Sequence, residues 1–293
     1  MPNIILGAST RSNLLSLQGT QSSINLTQGR LSTGLKVASA IDNAVSFFQA
    51  QALNNRAADF TDRKDGIDQG ISTLKAANNG VEAIDKIVKQ LKGIVSSAKT
   101  ATTTEQADLT NQFQELLGQI NELAGDASYQ GLNLINSTAS KLSVDFSTSS
   151  TATFTVEGRN LNVSGLFTNG GDALTGFNGG LSTFLGTGGA AEFSAVGTTV
   201  SAFDDAITLL DTGISKLRGA AKSLGANVTF LQTRLDFTKQ YVNNLSEGAD
   251  KLTLADINEE GANLVSLQTR QQLGIQALAF AGQSEQAVLR LFS

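Results

Sequence analysis

Val81-Glu-Ala-Ile84-Asp-Lys-Ile-Val88-Lys-Gln-Leu91-Lys-Gly-Ile-Val95 repeats its apolar residues three, four or seven positions apart. That spacing is one face of a helix. Ile67, Ile71 and Leu74 carry the same stripe toward the N-terminus, and the helical pattern covers Ala44 to about Ala101. At 1.5 Å per residue such a helix would be about 85 Å long. A run longer than about 25 residues without caps suggests a coiled coil or helical rod rather than one compact domain. Thr102-Thr-Thr-Glu105 reads as a break and a new N-cap, with acid in the first turn. A second helix follows, with Leu109, Phe113, Leu116, Leu117, Ile120 and Leu123 as its stripe.

Outward from this rod, both chain ends are helical too. Leu14, Leu17, Gln21, Ile24, Gln28, Leu31 and Leu35 alternate at three and four, a heptad seam. No Asp or Glu precedes Asp42. A helix face that is polar but uncharged suits a place between neighbouring helices, although an ordinary amphipathic core helix has the same pattern. Helical pattern returns from about Ser201 to Leu245, with Ile207, Leu210, Ile214, Leu217, Leu224, Leu231 and Leu235 on its stripe. Glu247-Gly-Ala-Asp250 is expected to interrupt it, and a last helix to run from about Thr253 to Phe292. Leu267, Leu278 and Leu289 recur there at eleven, a repeat that favours a nearly straight bundle.

The middle differs. Ser137 to Phe203 is rich in Ser, Thr and Gly. Leu142-Ser-Val-Asp-Phe146 and Thr153-Phe-Thr-Val-Glu157 alternate with period two, as strands do, and Leu161-Asn-Val-Ser164 is a candidate third strand. The predicted architecture is mainly α: a long antiparallel helical rod or coiled coil formed by both chain ends, with a small β-rich hairpin inserted in the middle. A partly disordered linker would share the middle's composition. The expected segments are 1–43 and 247–293 as terminal helices, 44–136 and 201–246 as rod helices, and 137–200 as hairpin and loop. Two sticky ends brought together, repeated between identical subunits, give an open helical array when the rotation does not close.

Composition narrows the chemistry. The 293 residues contain no Cys, no His and no Trp. Thiolate nucleophiles, zinc–thiolate sites and imidazole bases are thereby excluded. Charged residues are 16 % and the net charge is −5, against about 25 % charged in average domains; broad nucleic-acid binding is not expected. No run approaches the 18 apolar residues of a membrane span, and Met1-Pro-Asn-Ile-Ile-Leu-Gly7 lacks a signal peptide's basic start. Gly219-Ala-Ala-Lys222-Ser223 breaks phosphate-loop spacing, and Glu259-Glu260 reads as helix surface. Neither a cofactor nor a metal nor catalysis is expected.

At both ends the residues resemble one family, the bacterial flagellins. The N-terminal likeness lies in Ser12-Asn-Leu-Leu15, Gln21-Ser-Ser-Ile-Asn25, Arg30-Leu-Ser-Thr-Gly-Leu-Lys36 and Ser39-Ala-Ile-Asp-Asn-Ala44. Tyr129-Gln-Gly-Leu-Asn133 is similar to the family's aromatic-x-Gly turn. Gln268-Thr-Arg-Gln-Gln-Leu-Gly274 and Ala287-Val-Leu-Arg-Leu-Phe-Ser293 match its ending. The resemblance implies a short flagellin with little or no outer domain, self-assembling into the filament that propels swimming. It implies secretion through the flagellum's own type III apparatus to an extracellular filament. The implied partners are further copies of itself, hook–filament junction and cap proteins, and an export chaperone. A hook–filament junction protein is the alternative reading.

Leu14, Leu17, Ile24, Leu31 and Leu35 are expected to pair with Leu264, Leu267, Leu278, Leu289 and Phe292 in assembly. The resemblance also aligns Val88-Lys-Gln-Leu-Lys-Gly-Ile94 with a stretch that a vertebrate innate-immune receptor reads in many flagellins. Gln90 stands where that motif has Arg, Gly93 where it has Glu, beside Val88, Leu91 and Ile94, with Glu115 as the partner acid. A neutral amide lacks Arg's charge and planar fork, so weak recognition is expected. Ser147, Thr148, Ser149, Ser150, Thr151 and Thr153 are candidates for O-linked sugars, though plain turn polarity explains them equally. Asn136 and Asn162 fit the short N-glycosylation pattern.

Overall fold

The computed structural model describes residues 8–147, 152–167 and 200–291. The elements are α1 (Ala8–Thr33), α2 (Ala44–Ala98), α3 (Thr103–Asp126), β1 (Ser128–Tyr129), β2 (Leu132–Asn133), β3 (Lys141–Asp145), β4 (Thr153–Glu157), α4 (Val163–Leu166), α5 (Val200–Thr253) and α6 (Ile257–Leu291). The expected class is borne out: mainly helical, with a small hairpin in the middle. The chain divides into two units, Ala58–Val242 and a second made of Met1–Ala57 with Asn243–Ser293.

In the Ala58–Val242 unit, the heptad stripe of α2 becomes the core. Ile67, Leu74, Ile84, Val88, Leu91 and Val95 have no exposed surface. Facing them are Phe113, Leu117, Ile120 and Ala124 of α3 and Leu210, Ile214, Leu217, Leu224, Leu231 and Leu235 of α5. Each such burial is worth about 1.5–3 kcal/mol. α2 and α5 are antiparallel here. Phe60 stacks edge-on against Tyr241 with ring centroids 4.9 Å apart, and Lys92 and Lys99 pair with Asp211 and Asp204, both at 2.6 Å. These exposed ion pairs add at most about 1 kcal/mol each but match charges in one antiparallel register only.

The break after α2 is built as expected. The Glu105 carboxylate accepts from the Thr102 N–H and from its hydroxyl, both at 2.9 Å, so the first turn of α3 is capped. At the other end of α3, Asn133 Nδ2 donates to the carbonyls of Ala124 (2.7 Å) and Gly125 (2.9 Å). Between β1 and β2, Gln130 and Gly131 both have positive φ, 50° and 82°. That is the geometry of a two-residue primed hairpin turn, which needs Gly or a tolerant polar residue. Gly80 of α2 admits this turn: a Cβ there would lie 2.6 Å from Ala127 Cβ and 2.8 Å from Ile135 Cδ1.

β3 and β4 pair antiparallel with Leu142 opposite Val156 and Val144 opposite Phe154. Leu142, Val144 and Val156 are buried while Lys141, Ser143 and Asp145 face solvent, as strand alternation requires. The candidate third strand at 161–164 is corrected to a single helical turn, α4. Asn162 stops extension: its side-chain oxygen accepts the Gly165 N–H at 2.9 Å, an N-cap that competes with strand pairing. The variable loop expected after Phe167 lies outside the described residues.

Candidate assembly surface

In the unit made of the two chain ends, α1 and α6 lie antiparallel. Gln271 Nε2 donates to Gln21 Oε1 at 2.6 Å, and Arg30 donates to Glu260 at 2.9 Å. Turned inward on α1 are Thr10, Leu17, Thr20, Ile24, Thr27 and Leu31; on α6 they are Glu260, Leu264, Leu267, Gln271, Gly274 and Leu278. Steps of three, four and seven make both rows heptad seams. Half of these positions are polar or glycine, so the pairing within one chain is thin in apolar area. Gly274 permits the approach: a Cβ there would stand 2.9 Å from Leu17 Cδ2.

The seam is rotated from the expected one. Leu17, Ile24 and Leu31 lie on it, but Thr20 and Thr27 replace Gln21 and Gln28, and Leu14 is 40 % exposed. Threonine is compatible with the inside because its hydroxyl can bond back along the helix; that of Thr20 donates to the Ser16 carbonyl at 2.9 Å. Gln21 stays exposed at the seam's edge, where its Oε1 accepts from Gln271. Leu35 is not on the helix at all. It follows the end of α1 and forms an antiparallel bridge with Leu254. Leu264, Leu267 and Leu278 are half-buried against α1; the side chain of Leu289 and all of Phe292 lie outside the described residues.

The seam leaves a second set of apolar side chains outside. Leu14, Leu15 and Leu26 on α1 and Val265, Leu273, Ile275 and Phe280 on α6 are 40–71 % exposed. Soluble monomers rarely leave large apolar side chains so concentrated on one small unit.

The joint between terminal and rod helices explains the Arg30-Leu-Ser-Thr-Gly-Leu35 motif. Gly34, at φ +70°, ends α1 and donates its N–H to the Arg30 carbonyl at 2.7 Å. Lys36 and Val37 N–H then both reach the Thr253 carbonyl, at 2.7 and 3.2 Å, and Ala255 N–H reaches the Gly34 carbonyl at 2.9 Å. Two helix breaks are thus stitched together by backbone. The Asp42 carboxylate accepts from the Ser39 hydroxyl (3.0 Å), the Ser39 N–H (2.9 Å) and the Ala38 N–H (3.1 Å). These bonds, led by the hydroxyl, hold its pKa below the ordinary aspartate range. Asn43 caps α2 through the Ser46 N–H at 3.1 Å, and Asp256 caps α6 through the Asn258 N–H at 2.8 Å.

Two expectations are corrected at this joint. The interruption expected at Glu247-Gly-Ala-Asp250 does not occur: α5 continues to Thr253. Gly248 faces Leu53, at 3.5 Å from where its Cβ would be, and Lys251 pairs with Glu247 at 2.7 Å, so neighbours on either side carry the helix across a glycine that costs about 1 kcal/mol. Glu260 is also not surface. It is only 7 % exposed, and its partner Arg30 lies too far away in sequence for any local pattern to reveal it.

Of the receptor-like stretch, Val88 and Leu91 are fully buried in the rod core, Ile94 is half-buried, and Gln90, Gly93 and Glu115 face solvent. Thr153 is exposed and donates its hydroxyl to Asp145 at 2.7 Å, and Ser147 is half-buried; Thr148, Ser149, Ser150 and Thr151 lie outside the described residues. Among the described residues no helix is long and apolar enough to cross a membrane, and no group of three carboxylates gathers to hold a metal.

Known protein families match both chain ends. Residues 7–140 match the bacterial flagellin N-terminal helical region, and residues 200–292 the bacterial flagellin C-terminal helical region. Flagellin FljO of Caulobacter vibrioides is 31 % identical over 95 % of this chain and 94 % of its own length. The flagellin of Brucella melitensis is 28 % identical over 100 % of this chain and 99 % of its own. A solved structure from Vibrio parahaemolyticus, described as a flagellar hook-associated protein, shares the fold: TM-score 0.57 and 13 % identity over 73 % of this chain and 100 % of that one. Helical regions matched at both ends, and a relative 31 % identical along almost the whole chain, make this chain a member of the bacterial flagellin family, the structural subunits of the flagellar filament.

Proposed function

We propose that the paired terminal helices form the inner layer of the filament, and that segments 44–136 and 201–246 form a shell around them. The observation that carries this is the exposure of Leu14, Leu15, Leu26, Val265, Leu273, Ile275 and Phe280 on a pair of helices whose own seam is half polar. Within a chain, Leu17, Ile24 and Leu31 meet Leu264, Leu267 and Leu278. Between chains, these exposed side chains meet further copies, and Leu289 and Phe292 are proposed to take part in assembly. Each leucine buried on assembly contributes about 1.5–3 kcal/mol, which a free subunit lacks.

In this reading the chain acts mechanically, without catalysis, and leaves the cell through the flagellar export apparatus. Its partners are other copies, junction and cap proteins at the filament's ends, and an export chaperone before secretion. The absence of cysteine supports passage unfolded through a narrow channel. Ser147, Thr148, Ser149, Ser150, Thr151 and Thr153 are the proposed places for O-linked sugars. Gln90 and Gly93 make the exposed stretch on α2 a weak target for the immune receptor.

Electron microscopy of purified protein added to short filament seeds tests the assembly reading. Long tubes of uniform width are expected from the full chain, and none from chains lacking residues 1–40 or 260–293. Seeds that the full chain caps without lengthening would overturn it in favour of a junction role.

A further inference from the structure

α3 carries five acids, Glu105, Asp108, Glu115, Glu122 and Asp126, and no base. Glu105 serves the cap. Asp108, Glu115 and Glu122 are exposed and stand seven residues apart, which sets them in one row on the outward face, about 21 Å from end to end. α5 is opposite in sign over part of its length. Between Asp211 and Asp236 it has the bases Lys216, Arg218, Lys222 and Arg234, and no acid. Lys216 is turned onto the Leu166 carbonyl at 2.9 Å, and the Arg234 guanidinium lies between the Phe146 and Phe237 rings. Arg218 and Lys222, one turn apart, are exposed. None of Asp108, Glu115, Glu122, Arg218 and Lys222 forms an ion pair among the described residues. Each face also holds an exposed glycine, Gly118 beside the acids and Gly219 beside the bases, with nothing within 4 Å of where a Cβ would be. Glycine is unfavourable inside a helix, and no neighbour within the chain requires it at either place.

We propose that the Asp108, Glu115 and Glu122 row of one copy docks on the Arg218 and Lys222 face of a second copy. This rests on the filament reading and deepens it by adding a charged contact to the apolar one of the chain ends. Charge complementarity selects the second copy as occupant. The chain carries −5 overall, so copies repel one another unless unlike faces meet. Each Ala58–Val242 unit bears one face of each sign, unpaired within itself, and the open glycines let the two helix backbones come close. Acidic row and basic face are different surfaces, so the contact is heterologous and repeats without self-closure, as an open helical array requires.

Charge reversal tests it. One variant combines Glu115→Lys with Glu122→Lys, a second Arg218→Glu with Lys222→Glu, and a third carries all four changes. The first raises the net charge by four, the second lowers it by four, and the third leaves it unchanged, so a bulk effect of charge would push the first two in opposite directions. With monomer circular dichroism unchanged, both should lengthen filament seeds about tenfold more slowly than wild type, and the third should recover most of the rate. Wild-type rates from the first two, opposite changes in them, or a third variant no faster than they are would overturn the contact. Glu115→Gln with Glu122→Gln keeps the side chains' size and should make elongation less sensitive to added sodium chloride; an unchanged salt dependence also overturns it. Wild-type protein that fails to lengthen good seeds refutes the filament reading itself, and this contact with it.

Discussion

The Arg30 guanidinium donates to the Glu260 carboxylate across 2.9 Å, joining two residues 230 positions apart. Glu260 is nearly buried and Arg30 keeps about a third of its side chain in solvent. The pair fixes where α6 starts against where α1 ends. Arg30→Ala leaves a buried carboxylate without its cation and should cost about 2 kcal/mol. Filaments of this variant are expected to disassemble at lower temperature, with the melting of the rod helices unchanged. Arg30→Lys should recover only part, because an ammonium lacks the fork.

Two glycines of α2 should respond oppositely to alanine. Gly80 faces Ala127 and Ile135 at distances a Cβ cannot keep, so Gly80→Ala should destabilise by about 1–3 kcal/mol through overpacking. Gly93 has open space around it, so Gly93→Ala should stabilise by about 1 kcal/mol through helix propensity. Thermal denaturation of the two variants beside wild type checks both signs.

The cap of α3 should be sensitive to acid. The Thr102 N–H, and then its hydroxyl, hold the Glu105 carboxyl below the ordinary glutamate pKa. A depressed folded-state pKa contributes stability above the unfolded value of about 4.3. That contribution is lost as pH falls through the lower folded value. The protection of the amides from Thr102 to Glu105, relative to their intrinsic exchange rates, should therefore fall below about pH 4. Glu105→Gln should show lower protection than wild type above about pH 4 and converge with it in stronger acid.

Gln90 and Gly93 are exposed while Val88 and Leu91 hold the core. Gln90→Arg with Gly93→Glu should therefore leave the fold intact and raise activation of the immune receptor that reads this stretch in other flagellins. Reporter cells given equal amounts of purified monomer check it. No gain from the double variant, with unchanged circular dichroism, would remove the proposed role of these two positions.

The thin seam between α1 and α6 predicts a large difference between free and assembled protein. Amides of 8–33 should exchange rapidly in the monomer and slowly in the filament, while those around Ile84 and Leu91 stay protected in both. Protection of α1 in the free subunit would show that the ends are already ordered before assembly.

Much of this protein follows from local pattern. The stripe from Ile67 to Val95, the break at Thr102, the 142–146 and 153–157 strands and the Gln130-Gly131 turn are all written in short-range spacing, capping chemistry and backbone preference. These depend on residues within one or two turns of each other, so the sequence by itself determined them. The family likeness at both ends was legible for the same reason: its motifs are contiguous.

Tertiary structure alone decided the rest. Which residues of α1 face inward depended on α6, because three- and four-step rows around Leu17 and Ile24 are equally apolar until a partner chooses between Thr20 and Gln21. α5 ended at Thr253 rather than near Gly248, because Gly248 packs beside Leu53 while Leu35 pairs with Leu254 just past the helix. Glu260 became a buried partner only when folding brought Arg30 to it. In each case the deciding energy comes from groups far apart in the chain, which local spacing does not encode.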